Sequence, residues 1–492
     1  MINYKSTRGS QNVKTAAQAV IQGIAEDKGL YVPDAIPCLP FSLDDMVGKT
    51  YKDISFEIIK AFFTDYTDEE LNYCIQGAYT DKFEADDVVP VEKGNDAYFL
   101  ELYHGRTAAF KDMALSILPY LLTTAMKKEK EEAKICILTA TSGDTGKAAL
   151  EGFADVPGTE IIVFFPNKGV SEVQERQMTS QVGDNTHVFA INGNFDDAQS
   201  GVKKIFADDD FAENLKKINC KLSSANSINI GRLVPQVAYY VYGYLKLVEK
   251  GAIKVGEKIN VVVPTGNFGN ILAAYYAKHM GTPIDKLICA SNENKVLTDF
   301  INTGCYDIRR EFYLTNSPSM DILISSNLER LLYHLSGNDG EIVADLMKKL
   351  DTEKYYDVSA SIKGKMDDFV AGYCTVEETN NAIGKMYREY NYLMDTHTAV
   401  AYKVYEDYKK ETGDDKVALI ASTASAYKFA DSVAKAINLP EATNGFEYIK
   451  SVNENTGVRV PSCLKGLENR KVIHDKVIDI QDMPQVVFDS VK

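Results

Sequence analysis

The chain has 492 residues, 45% of them hydrophobic and 25% charged, which is typical of a globular protein that divides into two or three domains. Its formal net charge of −16 at pH 7 argues against nucleic acid and membrane surfaces as partners, so an anionic ligand needs a local positive pocket. The eight cysteines form no Cys-x-x-Cys pair and the six histidines fall singly, a pattern that indicates reduced thiols and no metal site. Because no apolar run has the length of a signal peptide or a membrane span, the sequence predicts a cytoplasmic protein.

Residues 1–96 are predicted to form a mostly helical N-terminal domain. An amphipathic stretch at 15–26 is followed by a turn and a short strand at 27–33, and further helices are predicted at 51–63 and 68–77. This part of the sequence carries no residue pattern that indicates chemistry of its own.

From Ala97 onward the sequence alternates between strand patterns and helix patterns. The strand patterns are nearly continuous apolar runs, at 97–100, 134–140, 161–166, 188–191, 259–264, 287–290 and 417–421. Such runs are typical of parallel strands that helices cover on both faces. The alternation therefore predicts an α/β fold with two doubly wound open sheets built from right-handed strand–helix–strand units.

The predicted domain boundaries follow from these changes of pattern. Residues 295–390 are rich in charged, helix-forming residues and predict a helical insertion, with helices at 323–334, 341–350 and 375–390. The predicted domains are the N-terminal domain 1–96, a large α/β domain of 97–133 and 230–440, a small α/β domain of 134–229, and a tail of 441–492 packed on the body.

Lys111 lies where the first of these strands gives way to an apolar helix, next to Ala109 and Phe110. The positive end of a helix dipole and an apolar environment both lower the pKa of an ammonium group. A lysine needs a lowered pKa to act as a Schiff-base nucleophile. An ordinary surface lysine, with its stem along the protein and its ammonium in water, is the alternative that this stretch alone leaves open.

Other polar loops also follow predicted strands, at the edge where ligands of open α/β sheets bind. In the loop 265–270, glycines let backbone N–H groups approach an anion and the helix that follows favours its charge, which suits a phosphate. The loop lacks the Lys-Ser/Thr of a Walker motif, and a tight turn that needs glycine only for its geometry is the alternative.

Two further segments offer groups for anions. The loop 141–146 has three hydroxyls at a helix start and suits a carboxylate, although Asp144 or Thr145 could simply cap the helix. The segment 223–232 places Arg232 among amides and hydroxyls, which suits a second anion, although the segment taken alone favours a surface turn. A lysine, a phosphate loop, a carboxylate loop and a second anion pocket together indicate a pyridoxal phosphate enzyme acting on an amino acid with an anionic leaving group.

The sequence resembles the threonine synthase family, pyridoxal-phosphate enzymes of the tryptophan-synthase-β fold type (fold type II). The motifs that carry the resemblance occur in family order at 4–9, 29–33, 104–112, 142–146, 226–232, 266–269 and 420–424. Three positions depart from the family pattern: Tyr103 replaces a phenylalanine, Asn270 replaces a frequent aspartate, and 425–427 replaces a common His-Pro pair. The lysine motif does not match the Ser-x-Lys-x-Arg type of related dehydratases.

The resemblance implies roles for individual residues. Lys111 would be the Schiff-base lysine and proton shuttle, and Thr423 would hydrogen-bond the pyridine nitrogen of pyridoxal 5'-phosphate. The residues implied for the cofactor phosphate and its surroundings are Gly266, Asn267, Phe268, Gly269 and Asn270. Those implied for the substrate are Thr141, Ser142, Asp144 and Thr145 at its carboxylate and neighbouring groups, and Asn226, Ser227 and Arg232 at its phosphate.

The reaction implied is the conversion of O-phospho-L-homoserine and water to L-threonine and phosphate, by a monomer or homodimer. One alternative is an enzyme that eliminates phosphate and releases 2-oxobutanoate. Another is a binding protein that keeps the fold without the cofactor, against which the intact Lys111 and the intact loop at 266–269 argue.

Overall fold

The structure is a computed structural model that describes residues 1–492, with the side chain of Asp196 left out. The strands are β1 Tyr4–Ser6, β2 Tyr31–Pro33, β3 Val91–Gly94, β4 Ala97–Glu101, β5 Lys134–Ala140, β6 Thr159–Pro166, β7 Thr186–Ile191, β8 Cys220–Ser224, β9 Ile259–Pro264, β10 Ile284–Ser291, β11 Cys305–Asp307, β12 Tyr355–Asp357, β13 Phe369–Tyr373, β14 Ala418–Ser422 and β15 Val477–Ile478.

The α-helices are α1 Ala16–Gln22, α2 Leu43–Met46, α3 Tyr51–Phe62, α4 Asp68–Tyr79, α5 Asp112–Leu115, α6 Leu118–Glu129, α7 Asp144–Phe153, α8 Glu172–Thr179, α9 Phe195–Phe206, α10 Asp209–Lys217, α11 Ile230–Glu249, α12 Gly269–Met280, α13 Val296–Thr303, α14 Leu328–Leu335, α15 Gly340–Glu353, α16 Ala360–Lys363, α17 Val376–Tyr390, α18 Thr396–Thr412, α19 Ala430–Ala436, α20 Gly445–Thr456 and α21 Met483–Val491. Short 3-10 turns occur at Pro318–Met320, Ala426–Phe429, Leu467–Asn469 and Ile480–Asp482. None of the helices in the described chain is long and apolar enough to cross a membrane.

The large sheet has six strands in the order β13-β10-β9-β14-β4-β3. Its strands are parallel except β3, which pairs antiparallel with β4. Successive residues of the central strand β9 pack on opposite faces: Val261 and Val263 lie in the cluster that includes α11 and α12, whereas Val262 packs with α18. Helices therefore cover both faces, which explains why the strand sequence is continuously apolar.

The small sheet has five parallel strands in the order β15-β7-β6-β5-β8. Its central strand β6 also divides its side chains between two clusters. Ile161 and Val163 join the cluster that contains α7, and Ile162 and Phe164 join the cluster of α9 and α21. The predicted α/β architecture of two open sheets with helices on both faces is thus the one observed.

The insertion and the tail contain strands that the sequence did not predict. The segment 295–390 is not purely helical, because β11 and β12 pair with each other and β13 forms an edge of the large sheet. The tail supplies β15 to the small sheet and covers that sheet with α21. Strands this short are fixed by their partner strands, so their own sequences hold too few residues for a period of two to be visible.

The segment around Lys111 also differs from expectation. The predicted single helix after Lys111 is two helices, α5 and α6, and Pro119 stands in the first turn of the second one. In addition, β3 belongs to the large sheet, so this sheet begins before the predicted boundary at 97.

A fully buried arginine, Arg330, joins the N-terminal strands to the body. Its Nε donates to the carbonyl of Tyr31 at 2.9 Å, and its Nη2 donates to the carbonyl of Ile228 at 2.6 Å. Its Nη1 donates to Oδ1 of Asn327 at 2.5 Å. One side chain therefore satisfies acceptors from β2, from the loop before α11 and from the start of α14.

We expect Arg330→Leu to lower the free energy of unfolding by at least about 3 kcal/mol, because three buried acceptors lose their donor. The measurement is urea unfolding followed by fluorescence and circular dichroism. Arg309→Leu is the control, since Arg309 pairs with Asp307 at the surface and its removal should change stability far less. Equal effects of the two changes would contradict the role assigned to Arg330.

Candidate active site

The Lys111 amine is buried at the carboxyl edge of the large sheet. The chain around it is fixed by backbone contacts to the end of β14: Phe110 N–H donates to the carbonyl of Thr423 at 2.7 Å, and Ala109 forms a bridge with Ala424. Lys111 Nζ lies 3.4 Å from Ser319 Oγ and 3.6 Å from Asp144 Oδ2.

Burial lowers the pKa of Lys111. The nearby cations Arg232 and Lys428 lower this pKa further, whereas the carboxylate of Asp144 opposes them. The pKa of Lys111 is thus lowered, as expected from the sequence, and burial is the main cause of the lowering. A lowered pKa favours the neutral amine, which is the form that acts as a base and a nucleophile.

The carboxylate of Asp144 lies between two lysines. Its Oδ1 accepts from Lys428 Nζ at 3.0 Å and from Gln174 Nε2 at 2.8 Å, and its Oδ2 faces Lys111. Burial alone would raise the pKa of Asp144, but the two ammonium groups hold the pKa well below its usual range. The side chain therefore stays ionised, which suits contact with a positively charged group better than with a second carboxylate, and its predicted role in binding the substrate stays a prediction.

The remaining residues of the loop 141–146 divide between shaping the loop and facing the site. Thr141 Oγ1 accepts the N–H groups of Gly143 and Gly146, each at 2.9 Å, and so fixes the start of α7. Ser142 and Thr145 are half-buried. These two hydroxyls are the ones in the loop that remain suited to a carboxylate.

The predicted phosphate loop lies between β9 and α12. A Cβ at Gly266 would stand 2.5 Å from the carbonyl oxygen of Ser319, so only glycine allows this close approach. Phe268 adopts a left-handed backbone (φ 63°) that aims the first turn of α12. Asn270 Oδ1 accepts from the hydroxyls of Tyr239 and Tyr240, each at 2.5 Å.

The structure brings the loop 226–229 next to this phosphate loop. Asn327 Nδ2 donates to Ser227 Oγ at 3.0 Å and to the carbonyl of Asn267 at 2.9 Å, which joins the two loops. Asn226 is half-buried in the same turn. Ser326 braces the junction as well, with its hydroxyl 3.2 Å from Asn267 Oδ1.

Arg232 is buried in the first turn of α11, not in a surface turn. Its Nη1 donates to the carbonyl of Ala225 at 2.8 Å, and burial lowers the pKa of the guanidinium to about 10. Its Nε is buried without a hydrogen-bond partner within the described chain. An arginine in this condition is suited to an anion that supplies the missing acceptor.

Buried donors without partners, on residues that lie near Lys111 or in the glycine loop, suit the binding of anions. Besides Arg232 Nε, the amide nitrogens of Asn270 and Gln177 are buried and unpaired within the described residues. The glycine-lined turn at Gly266 and the start of α12 add backbone N–H groups, and Lys111 supplies an amine. A phosphate-bearing aldehyde such as pyridoxal phosphate matches this set of groups.

Ser319, His397 and Asp395 were missed by the sequence reasoning. Ser319 N–H donates to His397 Nε2 at 3.2 Å, and His397 Nδ1 lies 2.8 Å from Asp395 Oδ2. The aspartate fixes the imidazole, and the imidazole fixes the turn Pro318–Met320 against Lys111 and Gly266. Ser319 lies in the segment expected to be a helical insertion, and no local pattern marks it.

Lys428 was missed although a signal exists. It lies between Tyr427 and Phe429 in an alanine-rich run, which resembles the surroundings of Lys111 after Ala109 and Phe110. A lysine among apolar residues directly after a strand-end loop is a candidate for burial. The structure buries it completely.

The comparisons with known protein families cover nearly the whole chain. Residues 3–79 match the family described as "Threonine synthase N terminus". Residues 87–423 match the family "Pyridoxal-phosphate dependent enzyme", and residues 398–486 match "Threonine synthase, C-terminal".

Individual relatives agree with these families. "Threonine synthase-like 1" of Homo sapiens is 40% identical over 87% of this chain, which spans only 59% of that relative's length. "Threonine synthase" of Saccharomyces cerevisiae is 37% identical over 88% of this chain and 89% of its own. The crystal structure of PLP-bound threonine synthase from Brucella melitensis superposes with a TM-score of 0.87 at 34% identity, covering 100% of this chain and 99% of that one.

We expect His397→Leu to loosen the turn Pro318–Met320, because the N–H of Ser319 loses its acceptor at a cost of about 1–3 kcal/mol. The measurement is amide hydrogen exchange of the peptide covering 317–322, by mass spectrometry. His397→Gln is the control, since a glutamine oxygen can accept near the Nε2 position and should keep exchange slow. Unchanged exchange in the leucine variant would show that the imidazole does not hold the turn.

Proposed function

Because the chain belongs to the threonine synthase family of pyridoxal-phosphate-dependent enzymes, we propose that it converts O-phospho-L-homoserine and water to L-threonine and phosphate. The observation that carries the proposal is the charge of the site. Lys111 lies near two further cations, Arg232 and Lys428, and one carboxylate, Asp144. A chain of net charge −16 thus concentrates positive charge at one buried place, as a substrate with a phosphate leaving group requires.

The cofactor would be held by groups already described. Backbone N–H groups of 266–269 and the start of α12 would bind its phosphate, Lys111 would attach to it, and Thr423 would donate a hydrogen bond to its ring nitrogen. When bound, pyridoxal phosphate supplies an electron sink for the α carbon of an amino acid. A threonine hydroxyl leaves the ring nitrogen neutral, which keeps this sink milder than an aspartate partner would.

Lys111 would move the protons of the reaction. Its lowered pKa would favour the neutral amine, which could accept the proton of the substrate's α carbon, pass that proton back to the reacting system, and then accept a proton of the β carbon. Asp144 Oδ2, at 3.6 Å, stabilises the ammonium form whenever the amine holds such a proton. One positioned amine with one counter-ion therefore serves successive transfers.

The substrate would be bound at its two ends. Arg232, with its unpaired Nε, and the neighbouring groups of Asn226 and Ser227 would hold the phosphate that leaves from the γ carbon. The hydroxyls of Ser142 and Thr145 would receive the carboxylate together with backbone N–H groups at the start of α7. Asn327, which contacts both Ser227 and Asn267, would hold the substrate phosphate site next to the cofactor phosphate site.

The test is product analysis after incubation of the holoenzyme with O-phospho-L-homoserine. Release of threonine and phosphate in equal amounts is the expected result. Phosphate with 2-oxobutanoate would indicate an elimination that stops before water adds at the β carbon. Absence of both products would contradict the proposed function.

We expect Lys111→Ala to remove turnover and the visible absorbance of the lysine-attached cofactor, with little loss of fold, because the amine's only hydrogen bond in the described chain is to Ser319. The measurement is the visible absorbance of the holoenzyme. Borohydride reduction and peptide mapping then identify the lysine that carries the cofactor. Lys428 is the neighbouring buried lysine, so its labelling in place of Lys111 would contradict the assignment.

We expect Arg232→Ala to lower kcat/KM for O-phospho-L-homoserine by roughly ten- to a hundredfold, chiefly through KM, because a charge-assisted hydrogen bond contributes about 1.5–3 kcal/mol. Cofactor content should stay near that of the parent protein. Competitive inhibition by inorganic phosphate should weaken in parallel. Loss of cofactor with unchanged KM would instead place Arg232 at the cofactor phosphate.

A further inference from the structure

Lys428 is a second buried lysine near Lys111, and each of its three ammonium hydrogens is engaged in a hydrogen bond. Its Nζ donates to Asp144 Oδ1 at 3.0 Å, to Gln177 Oε1 at 2.5 Å and to the carbonyl of Thr107 at 3.2 Å. A lysine with three donors engaged has no hydrogen left for a ligand. Its function must therefore act through one of the groups it contacts.

The contacts of Lys428 fix the orientation of the Asp144 carboxylate. Oδ1 is held from two directions, by Lys428 and by Gln174 Nε2 at 2.8 Å. This leaves Oδ2 aimed at Lys111 Nζ, at 3.6 Å. The carboxylate cannot rotate without breaking a buried, charge-assisted hydrogen bond.

The same contacts connect the two sheets at the site. Lys428 lies in the turn Ala426–Phe429 directly after β14 of the large sheet. Its partners Asp144 and Gln177 lie on α7 and α8, which belong to the small-sheet half of the molecule. The ion pair thus spans the junction at which Lys111 lies.

We propose that Lys428 is a positioning residue, which holds the Asp144 carboxylate turned so that Oδ2 serves as the counter-ion of the Lys111 amine. This inference rests on the proposed function, in which Lys111 carries the cofactor and moves protons. Nothing in the family descriptions or in the motifs that carry the resemblance assigns Lys428 a role.

The charges that face these groups fix the sign of the effect. Lys111 faces Asp144, Arg232 and Lys428, and Lys428 itself faces Asp112 and Cys463. Lys428 repels a positive charge on Lys111 directly, and it also shares the negative charge of Asp144. Removal of Lys428 ends the repulsion and leaves Asp144 paired with Lys111 alone, so both changes raise the pKa of Lys111.

The experiment compares Lys428→Met with Lys147→Met in the holoenzyme. Lys147 is a matched control because it is also buried and lies on α7, with Glu151 and Gln181 as its partners, yet it does not contact Asp144 or Lys111. Two properties are measured: the pH at which the absorbance of the bound cofactor changes without substrate, and the acidic limb of the pH profile of kcat/KM.

We expect both properties to shift upward by about one pH unit or more in Lys428→Met, because Lys111 loses the repulsion of a like charge and keeps Asp144 as its counter-ion, and nearby charges move a pKa by about 1–3 units. Lys147→Met should leave both where they are in the parent protein. If Lys428→Met does not fold, Lys428→Gln keeps a hydrogen-bond donor to Asp144 but not the charge, and the same shift is expected.

The pathway through Asp144 is tested by repeating Lys428→Met in an Asp144→Asn background, where the shift should become smaller because only the direct repulsion between the two lysines is then lost. An absent or downward shift in the single variants, or an equal shift in Lys147→Met, would overturn the proposal. The absorbance measurement uses no substrate, so its outcome is independent of which product the enzyme forms. If the holoenzyme forms no threonine but Lys428→Met shows the expected absorbance shift, the proposed function is rejected and the assignment of Lys428 is kept.

Discussion

A cation buried away from water is stable only if it is paired or gives up its proton. Lys111, Arg232 and Lys428 are buried together at the carboxyl edges of the two sheets, and Asp144 is the carboxylate among them. One carboxylate cannot balance three cations, so two consequences follow. The pKa of Lys111 falls, and the place becomes the point in an acidic protein at which anions are most favourably bound.

The fold positions three of these four charged groups, and the glycine turn, on connections that follow interior strands. Lys111 follows β4, Asp144 follows β5, Lys428 follows β14, and the turn at Gly266 follows β9. These strands lie inside their sheets, covered by helices on both faces, so their ends hardly move relative to one another. The insertion also contributes to the site. Its Asn327 joins the loops at 227 and 267, and Arg330 connects Asn327 to the N-terminal strands.

The sequence was sufficient where the local pattern decides the structure. The bounds of β5 and β9 were predicted as observed because continuous apolar runs ended by polar loops have few alternatives, and the family motifs pointed to Lys111 and the glycine turn. The sequence was insufficient where a partner distant in the chain determines the local structure. Examples are the edge strands β13 and β15 and the contact between Lys111 and Ser319. For Asp144 the motif identified a residue of the site but not its role, which depends on the distant Lys428.

The charges at the site also couple the binding of an anion to the basicity of the Lys111 amine. Without a bound anion, burial and the neighbouring cations favour the neutral amine of Lys111, the form that can accept a proton. An anion bound beside Arg232 offsets part of the repulsion that this guanidinium exerts on Lys111, and it thereby raises the pKa of the amine. In the proposed reaction the amine would thus be a stronger base while the phosphorylated substrate is bound, and it would lose part of that basicity once phosphate leaves. Asp144, held by Lys428, stays ionised throughout and keeps the protonated state of Lys111 accessible at each stage.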